Sequence, residues 1–168
     1  MAHFSQSLQI DIIIEPPLPD NSRVSIAQGP HELKASGFNL PVIITSVPLD
    51  KEVSQPKSIL VMAHFDTGAS GTSIDEKIAR ELELFPIGTT LMQTAGGSRD
   101  AKSYIVDISF PNTGLRGYRL RANDCNLPYN GIATNLSSEN FGVLLGRDIM
   151  ANWNIVWNGP TSTVLISD

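Results

Sequence analysis

An apolar run from Ile59 to Phe65 leads straight into Asp66-Thr67-Gly68. A carboxylate at the end of a buried strand is costly to desolvate, so its placement there points to a group held for a purpose. Beside a water molecule such a carboxylate can accept a proton, or donate one when it is itself protonated. Gly68 lacks a Cβ, which permits a sharp turn and lets a second backbone come close. Thr67 brings a hydroxyl that can donate across that approach. The plain alternative is an ordinary Asp-initiated turn, and the tripeptide alone does not separate the two. Strand parity puts His64 on the same side as Asp66, either lining a binding subsite or packed within the strand.

Further along, Phe141 to Leu145 makes a second short apolar strand that runs into Gly146-Arg147-Asp148 and then Ile149-Met150. On its own this reads as a helix start with a solvated ion pair. Between the two segments lies Thr94-Ala95-Gly96-Gly97, a glycine-rich tip flanked by strand-forming residues.

The elements that must position these residues are mostly strands. Leu8–Glu15 and Val24–Ala27 read as strands, with the proline cluster at 16–19 ending the first and residues 21–39 otherwise polar and irregular. Pro41–Leu49 and 58–66 predict an antiparallel hairpin that feeds the Asp66 turn. Ser73 and Glu76 match a capping box, so a helix should follow with Ile74, Ile78 and Leu82 on its inner face. Thr89–Ala95 and Lys102–Phe110 predict a hairpin, and alternating Tyr104, Val106, Ile108 and Phe110 mark the second strand as half-buried. Leu115–Ala122 and Val143–Leu145 read as strands, 147–152 as a short helix, and Ile155–Trp157 with Thr163–Ile166 as a terminal hairpin. The expected class is all-β, mostly antiparallel, with one or two short helices.

At 168 residues, with 41% hydrophobic and 17% charged residues, the chain has the composition of one ordinary globular domain. A net charge of −5, without any run of Lys and Arg, argues against nucleic-acid or anionic-membrane partners. The lone Cys125 excludes an intrachain disulfide, and Ile12–Ile14 is too short for a signal peptide or a membrane span. The expectation is a soluble, cytoplasmic protein.

Taken together, the apolar strand with Asp66-Thr67-Gly68-Ala69, the hairpin tip and the Leu144-Leu145-Gly146-Arg147-Asp148 segment resemble the retropepsin-like aspartic proteases, over residues 41 to about 158. The resemblance implies a closed β fold and a protease domain at 41–168, with residues 1–40 as an N-terminal extension that packs extra strands on it. It implies Asp66 as the catalytic carboxylate, with Thr67, Gly68 and Ala69 shaping its turn. Gly146, Arg147 and Asp148 would brace that turn. Thr94, Ala95, Gly96 and Gly97 would form a flap over a peptide or protein substrate, with His64 near a subsite. No cofactor or metal is implied.

A single Asp-Thr-Gly per chain supplies half of a two-carboxylate site, so the resemblance further implies a homodimer with Asp66 on its two-fold axis. One departure stands out. Viral members carry an acid two residues after the motif glycine as partner for the arginine, whereas this chain has Ser70; Asp75 or Glu76 are the candidate substitutes. Two other readings stay open. One is a retropepsin fold kept as a dimeric peptide- or protein-binding module with little turnover. The other is a zinc peptidase, because His64-Phe65-Asp66-Thr67 also resembles a zinc-exopeptidase segment, although no histidine follows residue 64 to complete such a site.

Overall fold

The structure, a computed structural model, describes residues 11–14, 23–27, 30–48, 55–94, 96–133 and 135–168. The chain opens with β1 (Asp11–Ile14), β2 (Arg23–Ala27) and a short helix, α1 (Pro30–Ser36). That helix replaces the irregular segment expected there. Proline suits a first helical turn, and buried Leu33 ties the helix to the core. The elements that follow are β3 (Asn39–Ser46), β4 (Ser58–Phe65), β5 (Ser73–Asp75), α2 (Glu76–Glu81), β6 (Gly88–Thr94) and β7 (Gly97–Ser109). The chain then continues through β8 (Tyr118–Cys125), β9 (Phe141–Leu145), α3 (Arg147–Met150), β10 (Asn154–Asn158) and β11 (Thr163–Ser167). The fold is mostly β, as expected, with one short helix more among the described residues than the sequence pattern indicated.

One sheet runs β3-β4-β9-β5-β8-β7-β6, and a further pairing of β3 with β7 closes it into a barrel. Alternation fills the barrel as it must, since every second side chain of a strand shares a face. Leu40, Val42 and Ile44 on β3 meet Ile59, Val61 and Ala63 on β4, and Val106 and Ile108 on β7 complete that wall. β7 is long enough to serve two purposes. Its second half is sandwiched between β8 and β3, while its first half carries only β6 and projects as a two-stranded arm.

A second sheet has the order β1-β2-β11-β10, so the N-terminal strands flank the C-terminal hairpin of the same chain. β10 lies at its edge with every side chain exposed, including Ile155, Val156 and Trp157. Between the sheets, Trp153 packs on Phe65, Phe110 and Tyr118 at centroid distances of 6.0, 5.0 and 6.2 Å.

The barrel contains two parallel pairings, β4 with β9 and β5 with β8. The first one brings the ends of β4 and β9 side by side and presses Gly146 against Gly71. A Cβ built on Gly146 would come under 3.0 Å from three backbone atoms of Gly71, so the requirement here is room rather than a special φ. Gly146→Ala should therefore destabilise the fold by about 3 kcal/mol, because backbone cannot yield as a side chain can. Urea unfolding would read this directly, and a loss under about 0.5 kcal/mol would show that the two loops can separate.

Candidate active site

Because β4 and β9 are parallel neighbours, the loops that follow them emerge at the same end of the barrel. Backbone hydrogen bonds tie the two loops together. Asp66 N–H donates to Leu145 C=O at 3.1 Å, and Arg147 N–H donates to Ala69 C=O at 3.0 Å. Within the Asp66 turn, Gly68 N–H donates to Asp66 Oδ1 at 2.7 Å and Ala69 N–H to Asp66 C=O at 3.1 Å. The carboxylate is thus oriented by its own turn and remains half-buried. Gly68 is required for this closeness, since a Cβ there would lie 2.9 Å from Asp66 Oδ1.

Arg147 does not use either carboxylate considered for it. Its Nη1 donates to the carbonyls of Thr67 at 2.6 Å and Gly68 at 3.0 Å. Asp75 is occupied elsewhere, accepting from Lys77 N–H at 2.8 Å and Leu127 N–H at 2.9 Å. Glu76 faces Arg80 and Arg99 at 3.6 and 3.7 Å. The turn exposes carbonyls that need donors, and a guanidinium answers that need without an acid at position 70. Asp75, rather than Ser73, is also the N-cap of α2. Pairing with β8 and β9 holds residues 73–75 as strand, which delays the helix.

Asp148 is fixed by a residue that sequence reasoning passed over. Thr72 donates its hydroxyl to Asp148 Oδ1 at 2.8 Å and its N–H to Oδ2 at 2.9 Å, and the same hydroxyl accepts Gly146 N–H at 3.2 Å. The available signal was Asp148 itself, a carboxylate at an apolar helix start in need of donors.

An open cleft of about 770 Å³ lies over this base. Asp66, Gly68 and Ala69 line one end of it, with Arg147 beside them. β6 supplies Thr90, Met92 and Thr94 from above, and Asn123, Cys125 and Leu127 form a side wall. Of the expected tip residues, Thr94 reaches the cleft and bonds to Gly97 C=O at 2.8 Å. Gly96 and Gly97 are exposed at the turn beyond it, and Ala95 lies outside the described residues. Burial lifts the Cys125 thiol to about 11, which keeps it protonated and unreactive near neutral pH.

His64 is not among the residues that line the cleft. Its ring stacks on Phe141 with centroids 5.0 Å apart, and Nδ1 lies 3.0 Å from Asn39 Oδ1. Asn39 Nδ2 donates to Ser36 C=O at 3.1 Å, so its Oδ1 is the acceptor and His64 Nδ1 carries the proton. Among the described residues no three His, Cys, Asp or Glu side chains gather as a metal-binding group, and no helix is long and apolar enough to cross a membrane.

Burial lowers the His64 pKa below 6.5, opposed in part by the Asp66 charge. The unfolded chain binds a proton here that the folded chain resists. This contribution to stability is complete above pH 6.5 and is lost as pH falls from there toward the folded value. An NMR titration should place the His64 midpoint below 6.5, and a midpoint at or above that value would contradict the packed, neutral ring.

The chain is similar to known proteins. A family model described as aspartyl protease covers residues 57–149, more than half of the chain. Among solved structures, a retropepsin-like aspartic protease from Rickettsia conorii aligns over 96% of both chains at 14% identity, with a TM-score of 0.50. The EIAV protease bound to the inhibitor HBY-793 aligns over 68% of this chain and 86% of its own at 19% identity, with a TM-score of 0.43. A foamy viral protease-reverse transcriptase aligns at 16% identity over 70% of this chain, which spans only 12% of that longer protein, with a TM-score of 0.44. No curated protein matches. With its two loops locked across parallel strands inside a closed barrel, the chain belongs to the aspartyl protease family and has the retropepsin-like fold.

Proposed function

We propose that the chain is an aspartic endopeptidase acting as a homodimer, in which Asp66 of each protomer supplies one carboxylate of a shared dyad. One observation carries this reading: Asp66 sits half-buried at the base of an open cleft, in a chain with only one Asp-Thr-Gly. Two carboxylates about 3 Å apart cannot both ionise, so they hold one proton between them. The ionised member takes a proton from water as the water oxygen attacks the scissile carbonyl carbon. The protonated member donates to the carbonyl oxygen, giving a tetrahedral intermediate. Collapse of that intermediate, with proton transfer to the departing amine, breaks the C–N bond.

An extended peptide is the substrate that suits this cleft. β6 is the last strand of its sheet, so its outer edge offers unpaired N–H and C=O groups for strand addition. The lining side chains Thr90, Met92, Asn123 and Leu127 carry no charge.

The edge strand β10 would receive the second copy. The edge strand β10 reads Asn-Ile-Val-Trp-Asn, and antiparallel pairing about a two-fold at Val156 would set Ile155 against Trp157 and Asn154 against Asn158. That surface is continuous with the site, since Trp157 lies 6.5 Å from Phe38, which packs at 4.4 Å on Phe65 next to Asp66. Residues 1–40 are then an extension that supplies β1 and β2 to the flank of the same sheet, beside a protease unit at 41–168.

Asp66→Asn keeps the shape of the turn but removes the base and the shared proton. Hydrolysis of an unstructured protein such as casein should fall to background, while EDTA leaves the wild type unaffected. The profile should be bell-shaped with its maximum on the acid side of neutral, its limits belonging to the pair. Inactivation by EDTA with recovery on zinc would replace the dyad by a metal site at His64 and Asp66. An intact dimer that binds peptide without turnover would make the chain a binding module.

Val156→Lys would place two like charges at the two-fold. Sedimentation should then show monomer, and activity should vanish at concentrations where the wild type is active, with folding retained because Val156 is 56% exposed. A variant that still dimerises would remove β10 from the interface.

A further inference from the structure

The arm formed by β6 and β7 is held to β8 and α2 by one buried carboxylate and one guanidinium. The β7–β8 ladder begins only at Ser103 opposite Asn123, whereas the β6–β7 ladder continues out to Thr94 opposite Gly97. Residues 97–102 therefore have no strand on their β8 side. Asp124 fills that role with its side chain. It accepts Lys102 N–H on Oδ1 at 3.0 Å and the Tyr104 hydroxyl on Oδ2 at 3.2 Å, and it is only 8% exposed.

Arg99 completes the attachment further out on the arm. Its Nη2 donates to the Asp124 backbone carbonyl and lies 3.6 Å from Asp124 Oδ1. Its Nη1 lies 3.7 Å from Glu76 Oε1 on α2. In the β6–β7 ladder Arg99 stands opposite Met92, whose side chain lines the cleft. One planar fork thus joins the arm to two separate elements, on the face of the arm that Arg99 shares with its cross-strand partner Met92. A lysine at the same place brings its donors from a single nitrogen and lacks the spread of a planar fork that reaches β8 and α2 from separate nitrogens.

We propose that Arg99 is a positioning residue that sets the height of the β6–β7 arm over the cleft by clasping it to Asp124 and Glu76. The clasp is a property of the fold, and only its effect on turnover rests on the peptidase reading above. With the fork removed, the arm is free to swing about Ser103, where the Ser103 hydroxyl bonds to Asn123 Oδ1 at 2.7 Å and the ladder with β8 begins. The Asp66 turn, which Arg99 does not touch, keeps its geometry.

Hydrogen exchange and kinetics on Arg99→Ala and Arg99→Lys in the full chain test this. In Arg99→Ala, amides of the β6–β7 ladder should exchange about tenfold faster, as expected for loss of one charge-assisted hydrogen bond, while those of the β3–β4 hairpin stay unchanged. KM for a peptide substrate should rise about tenfold with kcat altered less than about threefold, because capture weakens while the reacting groups remain in place. Arg99→Lys should recover only part of both effects. Unchanged exchange in the arm would overturn the proposal, as would faster exchange spread equally over the barrel. If the arm loosens as expected but the wild type hydrolyses no peptide, the clasp stands and the peptidase reading falls.

Discussion

The structure depends on one close contact, the pressing of Gly146 onto the backbone of Gly71 at the end of two parallel strands. Parallel neighbours need not put their loops in contact, because each loop is free to turn away. Here the absence of a side chain at Gly146 lets the loops meet, and Thr72 then bonds across the junction to Asp148 and Gly146. All of these groups except Asp148 and Gly71 are buried, so an unmet donor or acceptor would be costly, and none of those named is left unmet. The Asp66 turn is held by this junction rather than by the barrel wall alone.

Charge takes a smaller part than the residue types suggest. Arg147 is exposed and bonds to neutral carbonyls, so its value lies in fixing two carbonyl directions with one nitrogen more than in an ion pair. This explains how Ser70 can stand where viral relatives carry an acid, since the brace runs to the turn's own backbone. The acids near the site are spent on structure. Asp75 caps α2 and holds Leu127, Asp124 anchors the arm, and Asp148 closes the loop junction. Among these carboxylates, Asp66 alone lies half-buried at the base of the cleft.

The barrel was legible because its strands alternate cleanly and its turns carry glycine or proline. The β3–β4 hairpin, the β6–β7 arm and the β10–β11 hairpin all fall within a few residues of where alternation placed them. Three things were not legible, each for a physical reason. The start of α2 moved from Ser73 to Asp75 because strand pairing, which is non-local, overrode a local capping signal. The partners of Arg147 were backbone carbonyls, and sequence carries no mark of which carbonyls a fold leaves bare. His64 shares a strand with the site, yet it stacks on Phe141 and bonds to Asn39, partners that come from the neighbouring strands β9 and β3 and leave no mark in its own segment.

The terminal sheet connects the exposed edge of β10 to the site. β11 is paired on both edges within its own chain, by β10 and by β2, so no strand from another copy is needed to complete it. Among the described residues the free edges of this sheet are those of β1 and β10, and on β10 Ile155, Val156 and Trp157 are exposed with no charged residue interrupting the strand. An apolar edge of this kind invites pairing, and natural sheets usually guard it with charge, proline or a bulge. None of these guards is present in β10. The two-fold axis that the proposed dyad requires and an unguarded edge with a self-complementary sequence are separate features of the same molecule. The proposed symmetric pairing of β10 with its copy would answer both, and the route from Trp157 through Phe38 and Phe65 to Asp66 is how closure of that edge would bear on the proposed dyad.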